Sequence, residues 1–180
     1  WTPRMVWGVE DIVMCPGKED MFNFLEDIVR EVVPLFPGKY FHIGGDECPK
    51  TSWKNCPTCQ KRIEAEGLQA DGKHSAEERL QSYVIKRMEK MLAKYDRKII
   101  GWDEILEGGL SPDATVMSWR GTSGGISAAL QKHDVIMTPG SGGLYLDHYQ
   151  GDYKIEPVTI PSAPAYLSRT YNYEPVPDTI

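Results

Sequence analysis

Apolar positions along this chain follow two alternating rhythms, one with the period of a helix and one with the compactness of a buried strand. Phe22, Leu25, Ile28, Val29 and Val32 recur at helical spacing between Glu19 and Val33, and Pro34 closes the run, which predicts a core-facing amphipathic helix. Ser75-Ala76-Glu77-Glu78 has the form of a capping box and opens a second helix to about Tyr95, with Leu80, Val84, Met88, Met91 and Leu92 on one side. Short apolar runs at Tyr40 to Ile43, Lys98 to Trp102, Thr115 to Trp119 and Asp134 to Thr138 predict strands, the first three buried, and Ser123 to Lys132 predicts a further helix. An extended lead-in from Trp1 to Val13 and a glycine-rich loop at Gly140 to Gly143 lie outside these elements.

Strands alternating with helices imply a parallel sheet with right-handed crossovers, the α/β class. The connection between Trp102 and Thr115 spans about a dozen residues, the least that a parallel crossover needs, so only a short helical turn is expected there, at Glu104 to Glu107. The segment from Cys48 to His74 is expected to be a long loop on the rim of a pocket.

Composition narrows the class. With 180 residues and 41% hydrophobic content the chain can bury a core, and a formal charge of -6 without a basic cluster argues against nucleic acid as a partner. No apolar run has membrane-spanning length. Five Trp and nine Tyr supply flat rings suited to stacking on sugar faces.

The most chemically pointed stretch is His42-Ile43-Gly44-Gly45-Asp46-Glu47, two adjacent carboxylates placed after a strand and a glycine pair. Glycines strip side chains from the strand end so that a ligand can approach the backbone. Successive residues of a strand point to opposite faces, so both acids can address one ligand only if the pleat breaks there. Asp46, Glu47, Trp102, Trp119 and Asp147 all fall at or just past expected strand ends, where a parallel barrel collects its functional groups.

This motif resembles the His-x-Gly-Gly-Asp-Glu signature of glycoside hydrolase family 20, the β-N-acetylhexosaminidases. Ile99-Ile100-Gly101-Trp102-Asp103-Glu104, Val116-Met117-Ser118-Trp119-Arg120-Gly121 and Tyr145-Leu146-Asp147-His148-Tyr149-Gln150 are similar, in the same order, to family segments that end barrel strands. The resemblance implies the central and C-terminal part of a (β/α)8 TIM barrel. Such a barrel takes about 250 residues, so residues 1–180 are expected to form a partial catalytic domain lacking the first strands and the last, with the rest of a parent chain needed to complete it.

It further implies a retaining glycosidase that releases terminal β-linked N-acetylhexosamine, GlcNAc or GalNAc, with the substrate's own acetamido oxygen as nucleophile and an oxazolinium intermediate. Glu47 then serves as acid and base, Asp46 orients the acetamido N–H and stabilises the oxazolinium, and Tyr145 donates to the acetamido carbonyl. Trp102 and Trp119 enclose the sugar and its N-acetyl methyl, and Asp147 binds hydroxyls. His42, grouped with the substrate-binding residues, either supports the acid from behind or is a polar group satisfied within the barrel wall. Asp103, Glu104, Arg120 and His148 are expected to face water. No cofactor or metal is expected in the reaction, and the family is mostly exported, to periplasm, extracellular space or lysosome.

Cys15, Cys48, Cys56 and Cys59 leave zinc, a disulfide and free thiols open, with the lone Cys-x2-Cys a weak zinc signal. Two other functions compete: a TIM-barrel glycosidase with a protein carboxylate nucleophile, indifferent to the acetamido group, and a noncatalytic carbohydrate-binding module.

Overall fold

Four short strands, β1 (Tyr40–His42), β2 (Lys98–Trp102), β3 (Thr115–Ser118) and β4 (Val135–Met137), pair in the order β1-β2-β3-β4, and every neighbouring pair is parallel. They come from a computed structural model describing residues 5–6, 8–142, 144, 149–157 and 164–178. Sequential parallel order is that of a barrel wall; a doubly wound sheet reverses direction at its switch point. The register sets His42 beside Ile100 and Trp102 beside Met117, so the strand ends that carry the motifs lie side by side.

Helix α1 (Glu19–Val32) precedes β1, and α2 (Thr51–Lys54), α3 (Pro57–Ala65) and α4 (Ala76–Ala93) fill the crossover to β2. A 3-10 turn over Asp103–Leu106 serves the short crossover to β3, α5 (Ser123–Leu130) the one to β4, and α6 (Leu167–Tyr171) lies near the C-terminal end. The segment expected as a long loop from Cys48 therefore holds two helices. Pro57 starts the second, its fixed φ and missing N–H suiting the first helical position.

One apolar residue from each strand, Phe41, Ile99, Val116 and Val135, joins Val29 of α1 and Val33 at its C-terminal cap, Ile85, Met88, Met91 and Leu92 of α4, and Ala128 of α5 in one core cluster. The buried stripe of α1 runs through Met21, Phe22 and Val29 to Val33, whereas Ile28 is exposed, one position off the expected face. The capping box of α4 is formed: Ser75 N–H donates to Glu78 Oε2 at 2.6 Å and Glu78 N–H to Ser75 Oγ at 3.2 Å. Charge ties the helices together, with Glu19 accepting from Arg62 of α3 at 2.7 Å and from Arg87 of α4. Strand β1 departs from the expectation of burial. It is one of the two edge strands among the described residues, and Tyr40 and His42 are exposed.

No helix among the described residues is long and apolar enough to cross a membrane.

Candidate active site

Directly after β1 the backbone leaves the extended region: Gly44 has φ +73°, Gly45 φ +95° and Glu47 φ +45°. The pleat breaks where the two acids require it. Both glycines serve this turn, and Gly45 also serves the packing beneath it. A Cβ on Gly45 would lie 2.7 Å from Cγ2 of Ile105, and one on Gly101 of β2 would lie 2.6 Å from the same atom. Ile105, fully buried, thus sits in a slot made by two side-chain-free positions. Glu47 has no such freedom; a positive φ in a residue with a Cβ costs about 1–2 kcal/mol. Such strain collects at functional sites.

His42 accepts the Gly44 N–H on Nδ1 at 3.1 Å, and its ring meets Trp102 edge-on at 4.7 Å. Accepting on Nδ1 places any ring proton of the neutral form on Nε2. His42 is exposed as a residue, but the partial loss of water around its ring pushes the pKa down, partly opposed by the negative charge of Asp46. Trp102 in turn meets Trp119 at 6.4 Å, so His42, Trp102 and Trp119 form one run of rings across the ends of β1, β2 and β3.

Glu47 lines a pocket of about 340 Å³ together with Cys48, Glu104, Glu107, Trp119 and Arg120. Asp46 is exposed beside it. The structure brings Glu47 and Trp119 into one pocket, with Asp46, His42 and Trp102 next to it. Tyr145, Asp147 and His148 lie outside the described residues.

Asp103 and Glu104, expected to face water, are buried, at 3% and 5% exposure. Trp119 Nε1–H donates to Glu104 Oε2 at 3.0 Å, and the Arg120 guanidinium lies 3.2 Å from Asp103 and 3.5 Å from Glu104. Burial pushes the Glu104 carboxyl up, with the Trp119 hydrogen bond and Arg120 pulling the other way. Behind this layer, buried Gln81 of α4 donates to the carbonyls of Gly45 (3.3 Å) and Glu104 (3.1 Å) and accepts from Lys50. Lys50 also lies 3.3 Å from Glu107. One amide therefore bolts the acid-bearing turn to the 3-10 turn after β2. A glutamine beside the apolar stripe Leu80, Val84 and Met88 was the signal in the sequence that a polar contact is buried there.

Comparison with known proteins bears on this arrangement. Residues 1–180 match the family described as glycosyl hydrolase family 20, catalytic domain. A beta-hexosaminidase of Porphyromonas gingivalis is 61% identical over 98% of this chain, and one of Vibrio furnissii is 33% identical over 96% of it. The chain spans 22% and 27% of the length of these relatives. The solved exo-β-N-acetylglucosaminidase of Vibrio harveyi, in complex with N-acetylglucosamine, superposes with a TM-score of 0.77 at 31% identity, covering 91% of this chain and 25% of that one.

Proposed function

The chain belongs to glycosyl hydrolase family 20, its parallel strands forming part of a TIM barrel, and from that premise we propose that the protein hydrolyses terminal β-linked N-acetylhexosamine by substrate-assisted, retaining catalysis. The observation that carries the reading is Glu47, held at positive φ after two positive-φ glycines and lining a pocket with Trp119.

In the proposed reaction the C2 acetamido oxygen attacks the anomeric carbon while Glu47 protonates the departing glycosidic oxygen. Glu47 then takes a proton from the water that opens the oxazolinium ring, and two inversions leave the β configuration retained. Acid and base assistance of this kind is worth about 10²–10⁴ in rate, and the tethered acetamido group gains from high effective molarity. Asp46 orients the acetamido N–H and offsets the positive charge of the oxazolinium. Trp102 and Trp119 bound the space for the sugar and its methyl group. The Trp119 ring is itself fixed by Glu104, which makes Glu104 a positioning residue. With its carboxylate engaged by Trp119 and Arg120, Glu104 is poorly placed as a protein nucleophile. His42 supports the turn through Gly44. Tyr145 and Asp147 retain their proposed roles at the acetamido carbonyl and the sugar hydroxyls.

The test is Glu47→Gln and Asp46→Asn in the full-length protein on an aryl N-acetyl-β-glucosaminide. Glu47→Gln is expected to lower kcat/KM by about 10²–10⁴, less for substrates with a good leaving group, and Asp46→Asn to act mainly on kcat. Unchanged turnover in Glu47→Gln overturns the assignment.

A further inference from the structure

Away from the pocket, three cysteines distant in sequence converge. The Sγ atoms of Cys15, Cys56 and Cys59 all lie within 4.8 Å of one another, with Cys15 3.6 Å from Cys56 and 3.4 Å from Cys59. Zn²⁺ binds thiolate sulfur at about 2.3 Å, and tetrahedral angles then set neighbouring sulfurs about 3.8 Å apart. The observed spacing is close to that edge length and well beyond a disulfide bond of about 2.05 Å. A disulfide between any two of these cysteines would leave the third thiol against it.

The surrounding backbone is arranged for sulfur ligands. Cys56 and Cys59 flank Pro57-Thr58 at the start of α3, and the Cys59 N–H points at the Cys56 sulfur. The Gly17 N–H points at the Cys59 sulfur, and Thr58 Oγ1 lies 3.0 Å from Cys56 Sγ and 3.3 Å from Cys15 Sγ. Hydrogen bonds from N–H and O–H groups stabilise bound thiolates and fix their direction. A Cβ on Gly17 would fall 2.3–2.6 Å from backbone atoms of Thr58 and Cys59, so the Cys15-Pro16-Gly17 turn lies directly on the knuckle. Cys59, Trp53 and Leu80 form a small second core against which Cys15, Cys48 and Cys56 also pack.

We propose that Cys15, Cys56 and Cys59 bind a structural Zn²⁺ that clamps the segment before α1 to the start of α3. Each thiol releases its proton to solvent on binding, and no electron transfer is involved. Three thiolates leave the fourth tetrahedral position to a ligand outside the group, and Cys48, adjacent to Glu47, packs against the same core. The clamp thereby braces the far side of the segment that carries the acid. This inference stands apart from the hydrolase reading, since its readouts do not use turnover.

The full-length protein is purified under reducing conditions without an affinity-tag metal, offered Zn²⁺, desalted and assayed for metal by mass spectrometry. Near-stoichiometric zinc is expected, and Cys59→Ser is expected to lower retention against a fixed chelator by at least about tenfold. As a readout independent of any variant's folding, wild-type protein is also alkylated before and after chelation and its peptides mapped. Cys15, Cys56 and Cys59 should be protected together and become reactive together when zinc is stripped. Absence of zinc, alkylation indifferent to chelation, or a disulfide between any two of the three in the native protein overturns the proposal.

Discussion

Replacing Gly45 by alanine tests the physical basis of the acid-bearing turn. The new Cβ meets two separate penalties. At φ +95° a side chain costs about 1–2 kcal/mol, and the approach of 2.7 Å to Cγ2 of Ile105 adds overpacking of about 1–3 kcal/mol. Together they predict a loss of about 2–5 kcal/mol in the unfolding transition of the domain. The two parts can be separated. Ile105→Leu moves the branch away from Cβ at constant volume and costs less than about 1.5 kcal/mol alone. In a double-mutant cycle the Gly45→Ala/Ile105→Leu protein should recover the overpacking part, giving a favourable coupling of about 1–3 kcal/mol while the φ penalty remains. Urea unfolding of the four proteins supplies the cycle. Since Glu47 lies two residues on, kcat/KM should fall by about 10²-fold in Gly45→Ala if the acid moves by 1 Å, with partial recovery in the double variant. A neutral Gly45→Ala, or strict additivity in the cycle, would refute the proposed slot.

Other substitutions follow from the same geometry. Glu47→Gly should abolish turnover while leaving stability unchanged or raising it by up to about 1 kcal/mol, because the relief of a positive φ outweighs the added chain freedom; thermal unfolding beside activity reads both. Trp119→Phe removes the donor to a buried carboxylate and should cost about 1.5–3 kcal/mol, with a fall in kcat/KM that Glu104→Gln, still an acceptor, reproduces only in part. His42 has its pKa depressed below the ordinary 6.5 by partial desolvation of its ring, so the unfolded chain binds the proton more readily. Its contribution to stability is therefore full above about pH 6.5 and lost as pH falls through the folded value; His42→Phe should flatten that part of a Tm-against-pH curve. Ser75→Ala should destabilise by about 0.5–2 kcal/mol with kcat unchanged, since neither Ser75 nor Glu78 lines the pocket that holds Glu47.

The legible parts of the sequence were those where local chemistry and tertiary packing agree. Ser75 and Glu78 announce the start of α4 by their own hydrogen bonds, and Met88, Met91 and Leu92 keep their spacing whether the helix is alone or packed. The break in pleat after β1 was legible too, because two carboxylates following two glycines demand it. What escaped was decided by contacts distant in sequence. Asp103 and Glu104 read as solvent-facing because isolated charges usually are; their burial depends on Trp119 and Arg120 arriving from the next strand. Helices α2 and α3 were hidden because each buries a single side chain, Trp53 or Cys59, too little to set a period. The exposure of β1 follows from its place at the edge of the described sheet. The cysteine cluster likewise required the fold, since Cys15 meets Cys56 and Cys59 only across α1 and β1.

The central claim is that the substrate's acetamido group is the nucleophile, with Glu47 and Asp46 in support. Hydrolysis of an aryl N-acetyl-β-glucosaminide is measured beside the aryl β-glucoside with the same leaving group, using the full-length protein. Cleavage confined to the N-acetyl substrate, lost in Glu47→Gln, is the predicted result. Equal cleavage of both would contradict it and point to a protein nucleophile.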